Sequence, residues 1–152
     1  MLRSLIYLVA VAAAACSPRD SSTSEDEVLA VEIAAARELT GRYRPGSLSV
    51  DSAFAAPGQA PPMMTQVVRP AGRHRALVDA VRSDIAPTSL DTLRLRLSEP
   101  QLTPLGATVF VTIGGRLQIG HPRGGFYETV RIVLRRVGQR WVIRDRDQLG
   151  IS

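Results

Sequence analysis

Residues 126–151 read FYETVRIVLRRVGQRWVIRDRDQLGI, and their pattern decides the fold. Val130, Ile132 and Leu134 recur at every second position, the period of a half-buried strand. Gly138-Gln139 is a two-residue turn with glycine first, as a type II′ hairpin requires. Trp141 and Ile143 resume the inward row on a return strand. In the unbroken register set by that turn, Leu134 faces Ile143, and Arg136 faces Trp141 with a cation–π contact. The same register sets Arg131 opposite Arg146, a like-charge pair needing an acid or a bound anion between them. It also gives Asp145 and Asp147 the parity of Trp141, Ile143, Leu149 and Ile151, toward the core. A bulge near residue 145 would return the acids to solvent; otherwise the inner sheet face opens there into a polar pocket.

Working back along the chain, the period of two persists. Leu93, Leu95 and Leu97 alternate with Arg94 and Arg96; Val109, Val111 and Ile113 alternate with Thr108, Phe110 and Thr112. Gly114-Gly115 is expected to turn this strand into a short return at Leu117 and Ile119, and residues 120–125 form a glycine-rich loop. Before residue 90 the period is helical. Leu77, Val81 and Ile85 predict a helix over 72–85, ended by Pro87. Ser24 and Glu27 form a capping box, and Val28, Val31, Ala35 and Leu39 predict a helix over 25–40, with Gly41 as its stop. Between the helices the chain is irregular, with a short strand at 48–51, a proline-marked loop, and Met63 and Met64 as candidate core filler.

Helices first and hairpin-linked strands afterwards give an α+β domain. Two helices pack on one face of an antiparallel sheet of three to five strands that ends in a β-meander. The meander, Phe126–Val137 then Arg140–Ile151, is similar to the ending of NTF2-like and cystatin-like domains. That resemblance implies a curved sheet wrapped around a helix, and it makes a small pocket protein, a ligand carrier or enzyme, one reading of the function.

The first sixteen residues are an address. Met1-Leu2-Arg3 is a short positive segment and residues 4–15, SLIYLVAVAAAA, an apolar run too short to span a bilayer. Ala13-Ala14-Ala15-Cys16 resembles the lipobox of bacterial lipoprotein precursors. The resemblance implies a diacylglycerol-modified Cys16 as mature N-terminus and, with Ser17 following, an outer-membrane lipoprotein facing the periplasm or cell surface. Leucine is preferred at the place of Ala13, so ordinary cleavage after Ala15 stays open as an alternative. The expected organisation is a signal peptide at 1–15, a polar tether at 16–24 and one domain at 25–152.

The chain carries a net charge of +5, and all nineteen basic residues are arginine, with no lysine or asparagine. That is what GC-rich coding produces, and no aromatic–basic interleaving supports specific nucleic-acid binding. Anionic lipid or polymer suits the charge. Cys16 is the sole cysteine, so no internal disulfide forms. His74, between two arginines, and His121, in the glycine loop, have no companions at ligand spacing, so no metal site is expected. No nucleophile motif and no phosphate-binding glycine fingerprint occurs, and no cofactor is expected. Gly114-Gly115-Arg116 and the loop carrying Arg123 are candidate anion cradles. Arg116, Arg123, Arg131, Arg146, Asp145 and Asp147 are therefore the candidate ligand-binding residues. The leading expectation is a non-catalytic envelope protein that binds a partner protein, polymer or small ligand, or acts structurally. The competing one is an NTF2-like pocket using Asp145 and Asp147 with arginines.

Overall fold

A computed structural model describes residues 24–55, 66–116 and 125–151. The segment expected to be a signal peptide, Cys16, Met63, Met64, Leu117, Ile119, His121 and Arg123 lie outside them. In chain order the elements are α1 (Glu25–Tyr43), β1 (Ser47–Val50), β2 (Ala53–Ala55), β3 (Gln66–Val68), α2 (Ala71–Arg82), β4 (Thr92–Leu97), β5 (Gln101–Thr103), β6 (Gly106–Arg116), β7 (Phe126–Val137) and β8 (Arg140–Ile151).

The expected α+β class holds: the helices pack on one face of a mostly antiparallel sheet. The sheet has six strands where three to five were expected, in the order β1-β4-β6-β7-β8 with β5 also on β6, and β2 and β3 form a separate two-stranded ribbon. β1 is the exception to antiparallel pairing. It runs parallel to β4, Leu48 beside Leu93 and Val50 beside Leu95. A parallel neighbour needs a long crossover, which the ribbon and α2 provide.

The Ser24 hydroxyl accepts from the Glu27 N–H at 3.2 Å and caps α1. The carboxylate of Glu27 does not return to Ser24 but receives a bond from Arg136 at 3.0 Å. Gly41 does not end the helix, because Tyr43 one turn-fraction later packs against Phe126, ring centroids 5.7 Å apart. The stop comes at Arg44, which takes a left-handed φ of 46° ahead of Pro45. The right-handed α region is disfavoured for a residue before proline. α2 likewise stops short of Ile85, where Asp84 and Ile85 tighten into three-residue turns.

The core lies between the helices and one sheet face. Val31, Ala35, Ala36 and Leu39 of α1 and Leu77 and Val81 of α2 meet the inward rows Leu93/Leu95/Leu97, Val109/Val111/Ile113 and Val130/Ile132/Leu134. Full burial of such side chains contributes about 1.5–3 kcal/mol each, offset by chain entropy.

Gly114-Gly115 does not turn. β6 runs straight through both to Arg116, and Gly115 pairs with Leu93 on one side and Phe126 on the other. A Cβ on Gly115 would lie 2.2 Å from the Thr92 carbonyl oxygen, so glycine here admits a close backbone approach. The turn glycine is Gly138, at φ +62°.

The last hairpin corrects the unbroken register. Leu134 faces Ile143 and Arg136 faces Trp141, but Val133 then faces Asp145, leaving Arg144 as an extra residue. Arg131 consequently lies opposite Asp147, not Arg146, and Arg146 opposite Ile132. A second irregularity falls at Leu149. Arg136 faces Trp141 as expected, yet its guanidinium bonds Glu27, the Gly138 carbonyl and Gln139 instead of stacking on the indole.

Candidate functional site

Strand alternation puts Thr92, Arg94 and Arg96 of β4 on the sheet face away from the helices. Asp51, just past β1, reaches the same face and accepts from Arg94 Nε at 2.7 Å and Arg96 Nε at 2.9 Å. Partial burial alone would raise the Asp51 carboxyl, but the two guanidinium groups outweigh it and hold it below the usual carboxylate range. The same bonds push Arg94 upward.

On β6 the outward row is Thr112, Gly114 and Arg116, and on β7 Tyr127 and Thr129, with the two threonine hydroxyls 3.2 Å apart. Gly114 pairs with Tyr127, and a Cβ there would come within 2.7 Å of the ring. The missing side chain lets the ring settle beside the strand and leaves a hollow. A cleft of about 390 Å³ results, lined by Ser47, Ser49, Thr92, Arg94, Gly114 and Arg116 together with Tyr127 and Gly125. It adjoins a smaller depression of about 190 Å³ bounded by Asp51, Arg96 and Thr112. Tyr127 is 60% exposed, so its ring is available to a ligand. Arg116 is exposed and makes no ion pair among the described residues.

The candidate residues from the sequence do not converge. Arg116 lines the cleft with Gly114 and Gly115, and Gly125 closes it from the other cradle segment. Arg131 and Asp147 pair on the outward face of the last hairpin, with Arg131 Nε 2.9 Å from Asp147. Asp145 is exposed and accepts from the Arg146 backbone N–H at 2.8 Å. The Arg146 side chain turns the other way, 3.9 Å from Glu38 of α1. The bulge at Arg144 thus moves both acids off the core side. They do not line a cavity between sheet and helices, where buried apolar side chains sit.

A second charged cluster escaped sequence reasoning. Arg69, between β3 and α2, is fully buried; its Nε lies 3.0 Å from Glu32 of α1, and its Nη1 donates to the Asp51 carbonyl at 2.7 Å. Arg73 joins from α2, 3.4 Å from the other Glu32 oxygen and 3.2 Å from Glu99. Burial pushes the Glu32 carboxyl up against the opposing pull of both arginines. These groups form ion pairs with one another and tie α1, α2 and the strand exits together, which is structural work. Glu32 was the available signal: it falls on the apolar stripe of α1, and an acid there demands a buried cation.

At the far end of α1 the Tyr43 hydroxyl donates to buried Glu128, and burial with that carboxylate pushes the phenol up to about 12. His74 is lowered by burial and by Arg69. Among the described residues no group of three or more His, Cys, Asp or Glu is placed to hold a metal ion, and no helix is long and apolar enough to cross a membrane. No family model, curated protein or solved structure matches the chain.

Proposed function

We propose that this chain is an exported envelope protein, anchored by lipid on Cys16 in the outer membrane, whose domain is a non-catalytic binding module. The anchor rests on the apolar leader and the lipobox-like Ala13–Cys16. The observation that carries the binding reading is the outward cleft over Gly114. It combines guanidinium groups of Arg94 and Arg116, hydroxyls of Ser47, Ser49 and Thr92, and the exposed ring of Tyr127. Guanidinium groups hold carboxylates, hydroxyls exchange hydrogen bonds with polar rings, and an aromatic face stacks on them. Asp51 supports binding over catalysis, because a carboxylate held low by two arginines is a poor proton acceptor near neutrality. The ligand class that fits is a carboxylate-bearing sugar unit, free or within an envelope polymer.

Calorimetric titration with a uronic-acid oligosaccharide and its neutral methyl ester tests this. Binding of the acid, weakened about tenfold or more by Arg94→Gln, Arg116→Gln or Tyr127→Ala, is the expected result. Absence of binding, or equal binding of the ester, rejects it. The anchor is tested separately by the mass of the mature N-terminus from native cells and by fractionation of Cys16→Ser.

A further inference from the structure

The two arginines of the cleft, Arg94 and Arg116, are presented in different ways. Arg116 is exposed and makes no ion pair among the described residues. Arg94 stands between Ser49 of β1 and Gly114 of β6, its partners across the sheet. Neither neighbour has the bulk to hold a guanidinium by packing, and the Arg94 side chain is 64% exposed. An arginine in that setting samples many rotamers, and a ligand that must fix one of them loses affinity. Asp51 supplies the restraint. Its Oδ1 accepts from Arg94 Nε at 2.7 Å while its Oδ2 accepts from Arg96 Nε at 2.9 Å. The bond engages Nε, so the Nη groups of Arg94 remain for the two hollows that it lines. Asp51 is itself fixed from behind. Its N–H donates to the Leu95 carbonyl at 2.9 Å, and its carbonyl accepts from buried Arg69 at 2.7 Å. The Arg69 N–H also donates to the Ser52 carbonyl at 2.8 Å. With its backbone held on both sides, the carboxylate does not follow the arginine; the arginine settles on it.

We infer that Asp51 is the positioning residue of the cleft: without touching the ligand, it holds Arg94 by Nε so that the Nη groups face an incoming carboxylate. The inference rests on the cleft reading given above. Two effects of opposite sign follow from the placement of this acid. Fixing the side chain in advance strengthens binding about two- to tenfold, the cost of immobilising one rotamer-rich side chain. A carboxylate behind the arginine also repels an anion, about threefold in water for charges about 6–7 Å apart, and less in salt. The first effect needs Arg94 and the second does not.

Calorimetric titration with the uronic-acid oligosaccharide in a salt-containing buffer separates the two. Asp51→Ala, which leaves both backbone bonds in place, is expected to weaken binding about threefold or more. In an Arg94→Gln background the same change is expected to leave binding equal or tighter, since only the repulsion is then removed. In an Arg116→Gln background the weakening should persist. A merely structural role would weaken binding in all three backgrounds. Thermal melts confirm that each variant is folded at the titration temperature. If Asp51→Ala does not fold, Asp51→Asn, which keeps the shape of the side chain without its charge, carries the same comparisons. Unchanged or tighter binding by the Asp51 variant alone, or equal weakening with and without Arg94, overturns the inference and leaves the cleft reading standing. A parent protein that does not bind the oligosaccharide rejects the cleft reading, and the inference with it.

Discussion

Arg131 and Asp147 face each other across the last hairpin because Arg144 is inserted between Ile143 and Asp145 without a partner on β7. One extra residue turns a like-charge confrontation into an ion pair and rotates two acids from the core side to solvent.

A double-mutant cycle of Arg131→Gln and Asp147→Asn is accordingly expected to give a favourable coupling of about 0.3–1 kcal/mol, the scale of a half-exposed pair. The cycle of Arg131→Gln with Arg146→Gln should give none. Deleting Arg144 should preserve both pairings, because it removes the unpaired residue and leaves Val133 opposite Asp145. Urea denaturation reads all three, and coupling between Arg131 and Arg146 would contradict the register.

Arg69 and Glu32 are both fully buried, so removing either takes the nearest countercharge from the other, leaving Glu32 with Arg73 at 3.4 Å and Arg69 with the Asp51 carbonyl. Arg69→Met is expected to cost about 3–5 kcal/mol, while Arg69→Met with Glu32→Leu should recover most of that loss. Recovery is read as the urea midpoint of the double variant against the single ones. Equal midpoints for single and double variants would show that the pair is not coupled.

The two adjacent glycines of β6 should separate sharply. Gly115→Ala drives a Cβ into the Thr92 carbonyl and breaks the β4–β6 ladder, at a cost on the order of 2 kcal/mol or more. Gly114→Ala meets only the ring of exposed Tyr127, which swings aside. That variant is expected to melt within a few degrees of the parent while losing the shape of the cleft. Thermal melts and ligand titration together distinguish the two.

Asp51 sets a pH window. Its carboxyl lies below the ordinary value in the folded state, so its contribution to stability is fully present above about pH 4 and disappears as pH falls through the lowered value. Asp51→Asn should therefore lower the urea midpoint at pH 7, and the difference from the parent should shrink as pH falls below about 4. A difference that does not shrink at all on acidification would assign the effect to packing rather than charge.

The meander, the class and both helices could be read from the chain because their information is local: periods of two and of 3.6, a capping serine, a turn glycine. Strand β1 was visible at 48–51, but its parallel pairing with β4 was not, since direction depends on where the crossover returns the chain. The bulge was foreseeable from its penalty, two acids and an arginine pair that an unbroken register would misplace. The cleft was half visible. Gly114, Gly115, Arg116 and Gly125 stood out by composition, but for a turn and a loop; Asp51, Arg94 and Tyr127 join them only through pairing across three strands. Arg69 lay in an irregular stretch whose pattern carries no burial signal, and only Glu32 on the opposite helix pointed to it.

The placement of α1 also carries a consequence for the order of assembly. It is made first and packs most extensively against α2, made soon afterwards, while the strands it also covers, β6 and β8, come later. Synthesis therefore supplies the partners of Glu32, Arg69 and Arg73, and the α2 face early, but leaves the sheet-facing part of its apolar stripe uncovered until β6 and β8 emerge. The tight β7–β8 hairpin and its neighbour β6 need only short-range closures, so they are the natural nucleus. Helix α1 and the parallel β1–β4 contact require long closures and should lock in afterwards. Docking of the helix pair on the sheet, and with it resistance of α1 to proteolysis, therefore follows formation of the meander.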